Sequence, residues 1–230
     1  MNSMEKMIMK ICDETVEILR NFSTINPSIA VSEGSVVRTI SEQKNILAQA
    51  TVTESFPRDF AVYELNTLLG FISLFEEPDV TFNDSHLSVT DDNSRTGNFT
   101  YTDANMTTTP PVKNIDVADA EVNFNLSADD YKNVVKAAHQ LQLPEIVVEG
   151  ADGGINLIAT DVKNTTSNVF SCNVGTTNNT FKMIFRTENL RFLDGDYDVN
   201  ISSKGVGHFK NTQCELEYWV ATEGGSSYDS

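Results

Sequence analysis

The sequence predicts an α+β protein built from two similar halves, each with two helices laid on mostly antiparallel sheet. Three observations carry this. A strand–helix–turn–strand line at 181–202, FKMIFRTENLRFLDGDYDVNIS, has a looser counterpart at 60–82, FAVYELNTLLGFISLFEEPDVTF. Repetition on that scale bears on the fold class before any local detail. Short β-rich runs flank a helical pattern in both halves, and a sheet with one apolar face needs helices to cover it. Between the halves, DANMTTTPPVKNIDVA (103–118) holds adjacent Pro110 and Pro111, which resist both helix and central strand. The expected division is therefore 1–104, a connector at 105–118, and 119–230.

The elements follow in order. MIMKIC (7–12) reads as a strand. Asp13 is placed to cap a helix that runs to about Phe22, with Val16, Ile18, Leu19 and Phe22 on its apolar side and Asn26-Pro27 as its stop. SIAVSE, SVVRTIS and NILAQATVT read as strands, as does Phe60 to Tyr63. Leu65 to Phe75 is apolar nearly all round and reads as a buried helix interrupted by Gly70. DVTFND and HLSVTD form a hairpin pattern, and GNFTYT closes the first half.

The second half opens with AEVNFNL. Ser127 then caps a helix, SADDYKNVVKAAHQLQL, whose first-turn Asp129 and Asp130 suit the positive end of its dipole, and Pro144 follows its end. EIVVEG, ADGG and INLIAT make a hairpin. SNVFSCNV and FKMIFR are strands, TENLRFL a short helix, DGDY a turn, and YDVNIS, 206–210 and 214–221 the closing strands.

Charge sharpens the question of function. The 230-residue chain carries 33 acids against 16 bases, a net −17, with 40% hydrophobic residues. Such a balance argues against nucleic acid unless the few bases gather on one face. The helix after Ser127 offers that face. Tyr131, Val134, Val135, Ala138 and Leu141 follow the helical period and should meet a sheet. Lys132, Lys136 and His139 form a second stripe, roughly 130° away at about 100° per residue. Arg20 lies on the first helix, Arg186 and Arg191 bracket the start and middle of TENLRFL, and Lys10 sits near the end of the first strand. Such a face touches phosphates without reading bases.

Cys12, Cys172 and Cys214 have no metal-ligand spacing and read as reduced thiols. The three histidines are isolated, and no phosphate loop, HExxH or nucleophile elbow occurs. The chain is therefore expected to be no enzyme, with no catalytic residue, no metal and no cofactor. MNSMEKMIMKI is too short and charged for a signal sequence, and no run of 18 apolar residues spans a membrane, so a cytoplasmic location is expected.

Four segments in order carry a resemblance: EILRNFSTIN (17–26), FAVYELNTLLGFISLF (60–75), IDVADAEVNFNLSADDYKNVVKAAHQLQLPEIVVEG (115–150) and TENLRFLDGDYDV (187–199). Together they resemble the DNA sliding clamps, most of all the T-even type phage clamps that serve as DNA polymerase processivity factors. The resemblance implies the DNA clamp fold assembled as a homotrimeric ring of six similar domains. Helices would line a hole threaded by double-stranded DNA without sequence specificity. An ATP-dependent clamp loader would open the ring, and DNA polymerase would bind one face by a hydrophobic tail. A sigma-like late transcription factor and its co-activator are further implied partners, in the cytoplasm of an infected bacterium.

By that resemblance Lys10, Arg20, Lys132, Lys136, His139, Arg186 and Arg191 face the DNA. Phe99, Tyr101, Val169 and Phe170 lie at the edges that join subunits, and Val112, Ile115, Tyr218, Trp219 and Val220 form a partner-peptide groove. The 65–75 helix carries no base, so the first half contributes little positive field. Two other classes compete. An enzyme would reveal itself by nuclease or nucleotidase activity. A non-catalytic β-rich virion or structural protein would explain the strands and acidity, but not TENLRFL in register.

Overall fold

The structure, a computed structural model, describes residues 8–111, 115–117 and 119–229. The chain divides into two compact units, 1–111 and 112–230.

In the first unit the elements are β1 (Ile8–Met9), α1 (Asp13–Ile25), β2 (Ile29–Val31), β3 (Gly34–Ile40), β4 (Ile46–Phe56), β5 (Phe60–Val62), α2 (Leu65–Ile72), β6 (Asp79–Phe82), β7 (His86–Thr90) and β8 (Thr96–Thr100). One sheet has the order β1-β6-β7-β8, all antiparallel, and ends in β8. β3 pairs antiparallel with β4, and β2 with β5. α1 lies against α2, β3 and β4. Its apolar side is Ile18, Leu19 and Phe22, all buried, as the helical spacing requires.

α1 begins one residue earlier than a cap at Asp13 would allow. Cys12 occupies the N-cap position without a side-chain capping bond. Glu54 of β4 supplies the cap instead: its carboxylate accepts from the Cys12 backbone N–H at 2.5 Å and from Thr15 Oγ1 at 2.5 Å. A charged acceptor suits the positive end of a helix.

The second unit contains β9 (Val122–Leu126), α3 (Ala128–Leu141), β10 (Glu145–Ala151), β11 (Gly154–Thr160), β12 (Phe170–Thr176), β13 (Thr180–Arg186), β14 (Tyr197–Ser202), β15 (Val206–Asn211), β16 (Leu216–Ala221) and β17 (Ser227–Asp229). One sheet runs β12-β11-β10-β13-β17, with β12 at its edge. β16, β15, β14 and β9 pair antiparallel in that order. The ADGG hairpin closes through Asp152 and Gly153, both at positive φ (52° and 83°), the two-residue turn that fits strand twist.

α3 packs on β10, β11 and β12. Ser127 Oγ accepts from the Asp130 N–H at 3.1 Å, as its position predicts, and Asp196 Oδ1 accepts from the Ala128 N–H at 2.8 Å. Tyr131, Val134 and Ala138 are buried, whereas Leu141, in the last turn, is 41% exposed.

The predicted helix TENLRFL is absent. Only Thr187–Asn189 forms one 3-10 turn, and 190–193 have no regular secondary structure. Tyrosine hydroxyls take the backbone groups a helix would have used. Tyr131 OH donates to Leu190 O (2.8 Å) and accepts from the Phe192 N–H (3.0 Å). Tyr197 OH donates to Leu193 O (2.5 Å), and Tyr218 OH accepts from the Leu193 N–H (3.1 Å). With its polar groups satisfied this way, the segment has no need of helix. Phe192 can then turn inward and stack on Tyr131, ring centroids 5.3 Å apart.

Candidate nucleic-acid interface

α3 presents the most regular basic face. Its buried residues fix one side against the sheet, which leaves Asp129, Lys132, Asn133, Lys136, His139 and Gln140 exposed on the other. At about 100° per residue, Lys132 and Lys136 stand at the centre of that exposed arc, with His139 beside them. Neither lysine has a salt-bridge partner among the described residues. First-turn Asp129 is exposed on the same side, three residues before Lys132, whereas Asp130 is engaged with Ser127 Oγ at 2.6 Å.

The other expected cations fare differently. Arg20 is exposed on α1 and borders a cleft of about 380 Å³ between α1 and α2, together with Lys10, Val16, Leu69, Ile72 and Phe75. Lys10 pairs with Glu77 at 3.3 Å. Arg186 pairs with Glu223 at 3.2 Å and approaches Glu188 at 4.0 Å. Arg191 lies in the irregular segment after the 3-10 turn, not on a helix, and its Nε donates to Glu188 O at 2.6 Å. Two of the seven predicted contacts thus carry their own counter-charges. α2 holds no base at all.

α1 differs in kind. Its exposed residues are Asp13, Glu14, Glu17, Arg20 and Thr24. On the helical wheel Asp13, Glu17 and Thr24 occupy the middle of the arc and Arg20 its cleft-side border. Sequence reading noted Arg20 and passed over Glu17; the same periodicity that found the α3 stripe would have found it.

The expected joining edges lie on terminal strands. Phe99 sits in β8, half-buried, with its ring centroid 5.8 Å from Phe71. Gly97 on the same strand leaves room for that packing: a Cβ there would lie 2.7 Å from the Phe71 ring. Tyr101 follows β8 and packs on Phe60 at 5.5 Å. Its hydroxyl is buried without a hydrogen-bond partner, and burial, partly offset by Arg58, pushes its pKa up to about 12. Phe170 opens β12, half-buried, and Val169 precedes it, 60% exposed.

The groove expected at the last strand needs correction. Tyr218, Trp219 and Val220 are at most 3% exposed. Tyr218 packs on Phe192 and Tyr197, and Trp219 stacks on His208 at 4.8 Å. These are core side chains, because every residue of β16 from Leu216 to Val220 except Glu217 is buried. Of the remaining groove residues, Ile115 is 40% exposed and Val112 lies outside the described residues. Among the described residues no group of three His, Cys, Asp or Glu could hold a metal, and no helix is long and apolar enough to cross a membrane.

Comparison with known proteins places this geometry. Residues 13–107 match the family model "DNA polymerase processivity factor", and residues 123–224 match "gp45 sliding clamp, C terminal". The sliding clamp of Vibrio phage KVP40 is 34% identical over 221 residues, covering 94% of this chain and 99% of that protein. The sliding clamp of Enterobacteria phage T4 is 26% identical, covering 96% and 100%. Among solved structures, the PCNA of Thermococcus kodakaraensis superposes with a TM-score of 0.70 at 13% identity, covering 95% of this chain and 99% of that one. An H. pylori beta clamp gives 0.70 at 10% identity, covering 97% and 68%. At such identities the structural likeness speaks for the fold alone.

Proposed function

The chain belongs to the phage sliding-clamp family, and from that premise we propose that three copies close into a ring around duplex DNA. As a sliding clamp it is a processivity factor for DNA polymerase. The proposed clamp domains are 1–104 and 119–230, joined by a connector at 105–118. The ring tethers its polymerase by threading, so that contact with the duplex needs only to be weak and blind to sequence. An ATP-dependent loader opens it. A sigma-like late transcription factor and its co-activator use the same platform, in the cytoplasm of the infected bacterium. The protein itself performs no catalysis.

The observation that supports this reading best is α3: two unpaired lysines centred on an exposed helical face, in a chain of net −17. The acidic remainder repels DNA from other surfaces. The free edges β8 and β12 fit ring closure, since an unpaired edge strand invites a partner strand. Phe99, Tyr101, Val169 and Phe170 would then lie at the junction.

Two measurements test it. Light scattering should give a mass near three chains; a stable monomer at high concentration sinks the ring. Protein loaded on nicked circular duplex should stay bound and be lost once the circle is cut. Equal loss from both forms would mean the DNA is not threaded.

A further inference from the structure

We propose that Glu17 is a repulsive element of the DNA-facing surface, holding the duplex off α1 so that Lys132 and Lys136 of α3 carry most of each subunit's attraction. The inference rests on the ring reading and deepens it by dividing the labour between the two units.

The argument is electrostatic and positional. α1 and α3 are the two long helices, one in each unit, and each buries one apolar side against its own unit. Each therefore offers one exposed arc. In α3 that arc holds Lys132 and Lys136, with a single exposed carboxylate, Asp129, one turn before Lys132. In α1 it holds Asp13, Glu17 and Thr24, with Glu14 also exposed. Against three carboxylates α1 sets a single base, Arg20, placed at the border of the arc beside the cleft. None of Asp13, Glu14 or Glu17 is paired with a cation among the described residues, so their charge is not cancelled locally.

The rest of the first unit does not restore the balance. α2 has no base, and Lys10 is matched by Glu77. In the second unit Arg186 is matched by Glu223, whereas Lys132 and Lys136 of α3 have no ion pair among the described residues and share their face with one exposed carboxylate, Asp129.

The physical consequence is a shallow hold. Every lysine–phosphate contact displaces counterions and adds to the salt dependence of binding. A ring contacting DNA through one helix per subunit forms half as many such contacts as one using both. An opposing acidic face lowers the attraction further, which favours fast sliding.

The test uses rings on linear duplex with open ends, where residence time reports how strongly the duplex retards sliding. E17Q should lengthen residence about threefold at low salt, and K132Q/K136Q should shorten it by at least as much. R20Q should change it less than twofold. Both large effects should fade near ~1 M salt, where the Debye length falls to about 3 Å. D92N, an equal charge change in the β7–β8 turn, should leave residence unchanged. An unaltered E17Q residence, a D92N effect as large as that of E17Q, or an R20Q effect as large as that of K132Q/K136Q overturns the proposal. Retention of wild-type rings on circular DNA tells these outcomes apart from failure of the ring itself: if circles hold the protein no longer than linear duplex, threading falls and the proposal with it.

Discussion

α1 and α3 are matched in length and unlike in every detail that sequence alone controls. α3 is capped from within by Ser127 and Asp130, three residues apart, and reinforced by Asp196. α1 is capped from outside by Glu54, on a strand 42 residues away. α3 exposes lysines and α1 exposes carboxylates. Burial constrains one side of each helix and leaves the other open to change.

The contrast can be broken first at the lysines. Changing Lys132 and Lys136 together to Glu should lower processive synthesis by about tenfold or more, since it replaces attraction by repulsion at the centre of the α3 face. Light scattering should still give the wild-type mass. Unchanged synthesis would mean that α3 does not face the duplex.

The Tyr131 hydroxyl is the next lever. Tyr131→Phe keeps the stacked ring but leaves Leu190 O and the Phe192 N–H without their buried partner. Urea unfolding should show a loss of about 1–3 kcal/mol. The irregular segment that replaces the predicted fourth helix depends on that hydroxyl.

Glu54 sharpens the same comparison on the α1 side. Burial works to raise its pKa, but the hydrogen bonds from Thr15 and Cys12 outweigh burial and hold the carboxyl below its usual range. A depressed folded-state pKa contributes stability above the unfolded value of about 4.3 and loses it as pH falls through the folded value. Glu54→Ala should therefore cost about 1 kcal/mol at pH 7, the typical worth of a helix cap. The gap to wild type should narrow below about pH 4 as the wild-type carboxylate is protonated. Ser127→Ala removes a hydroxyl that accepts from the Asp130 N–H and donates to the Asp130 carboxylate, and should likewise cost about 1 kcal/mol at pH 7.

The smallest expected effect is at Tyr101. Its hydroxyl has no partner, so Tyr101→Phe should leave unfolding of the chain within about 0.5 kcal/mol of wild type, or stabilise it. A larger loss would mean that a neighbouring subunit satisfies that hydroxyl in the assembled ring.

What the sequence disclosed and what it withheld divide along the same line as the two caps. Ser127, the Asp152–Gly153 turn and the α3 stripe were readable because each depends on residues a few positions apart. The Glu54 cap, the Lys10–Glu77 pair and the bonds of Tyr131 and Tyr218 to 190–193 join residues far apart in the chain, and no local pattern marks them. The helix expected at TENLRFL fails for that reason: its composition allows a helix, and two distant hydroxyls, with that of nearby Tyr197, make another conformation cheaper. Tyr218, Trp219 and Val220 were misplaced because a run of consecutive large side chains does not say that both of its faces are covered. The exposed position of Glu17 is legible in the helical spacing of α1.

The Glu54 cap also orders events in time. The first turn of α3 can close on its own residues as soon as that stretch of chain exists. The first turn of α1 cannot be completed until β4 has been made and brought alongside it. Refolding kinetics should therefore show Ser127→Ala slowing the formation of structure, whereas Glu54→Ala chiefly quickens its loss.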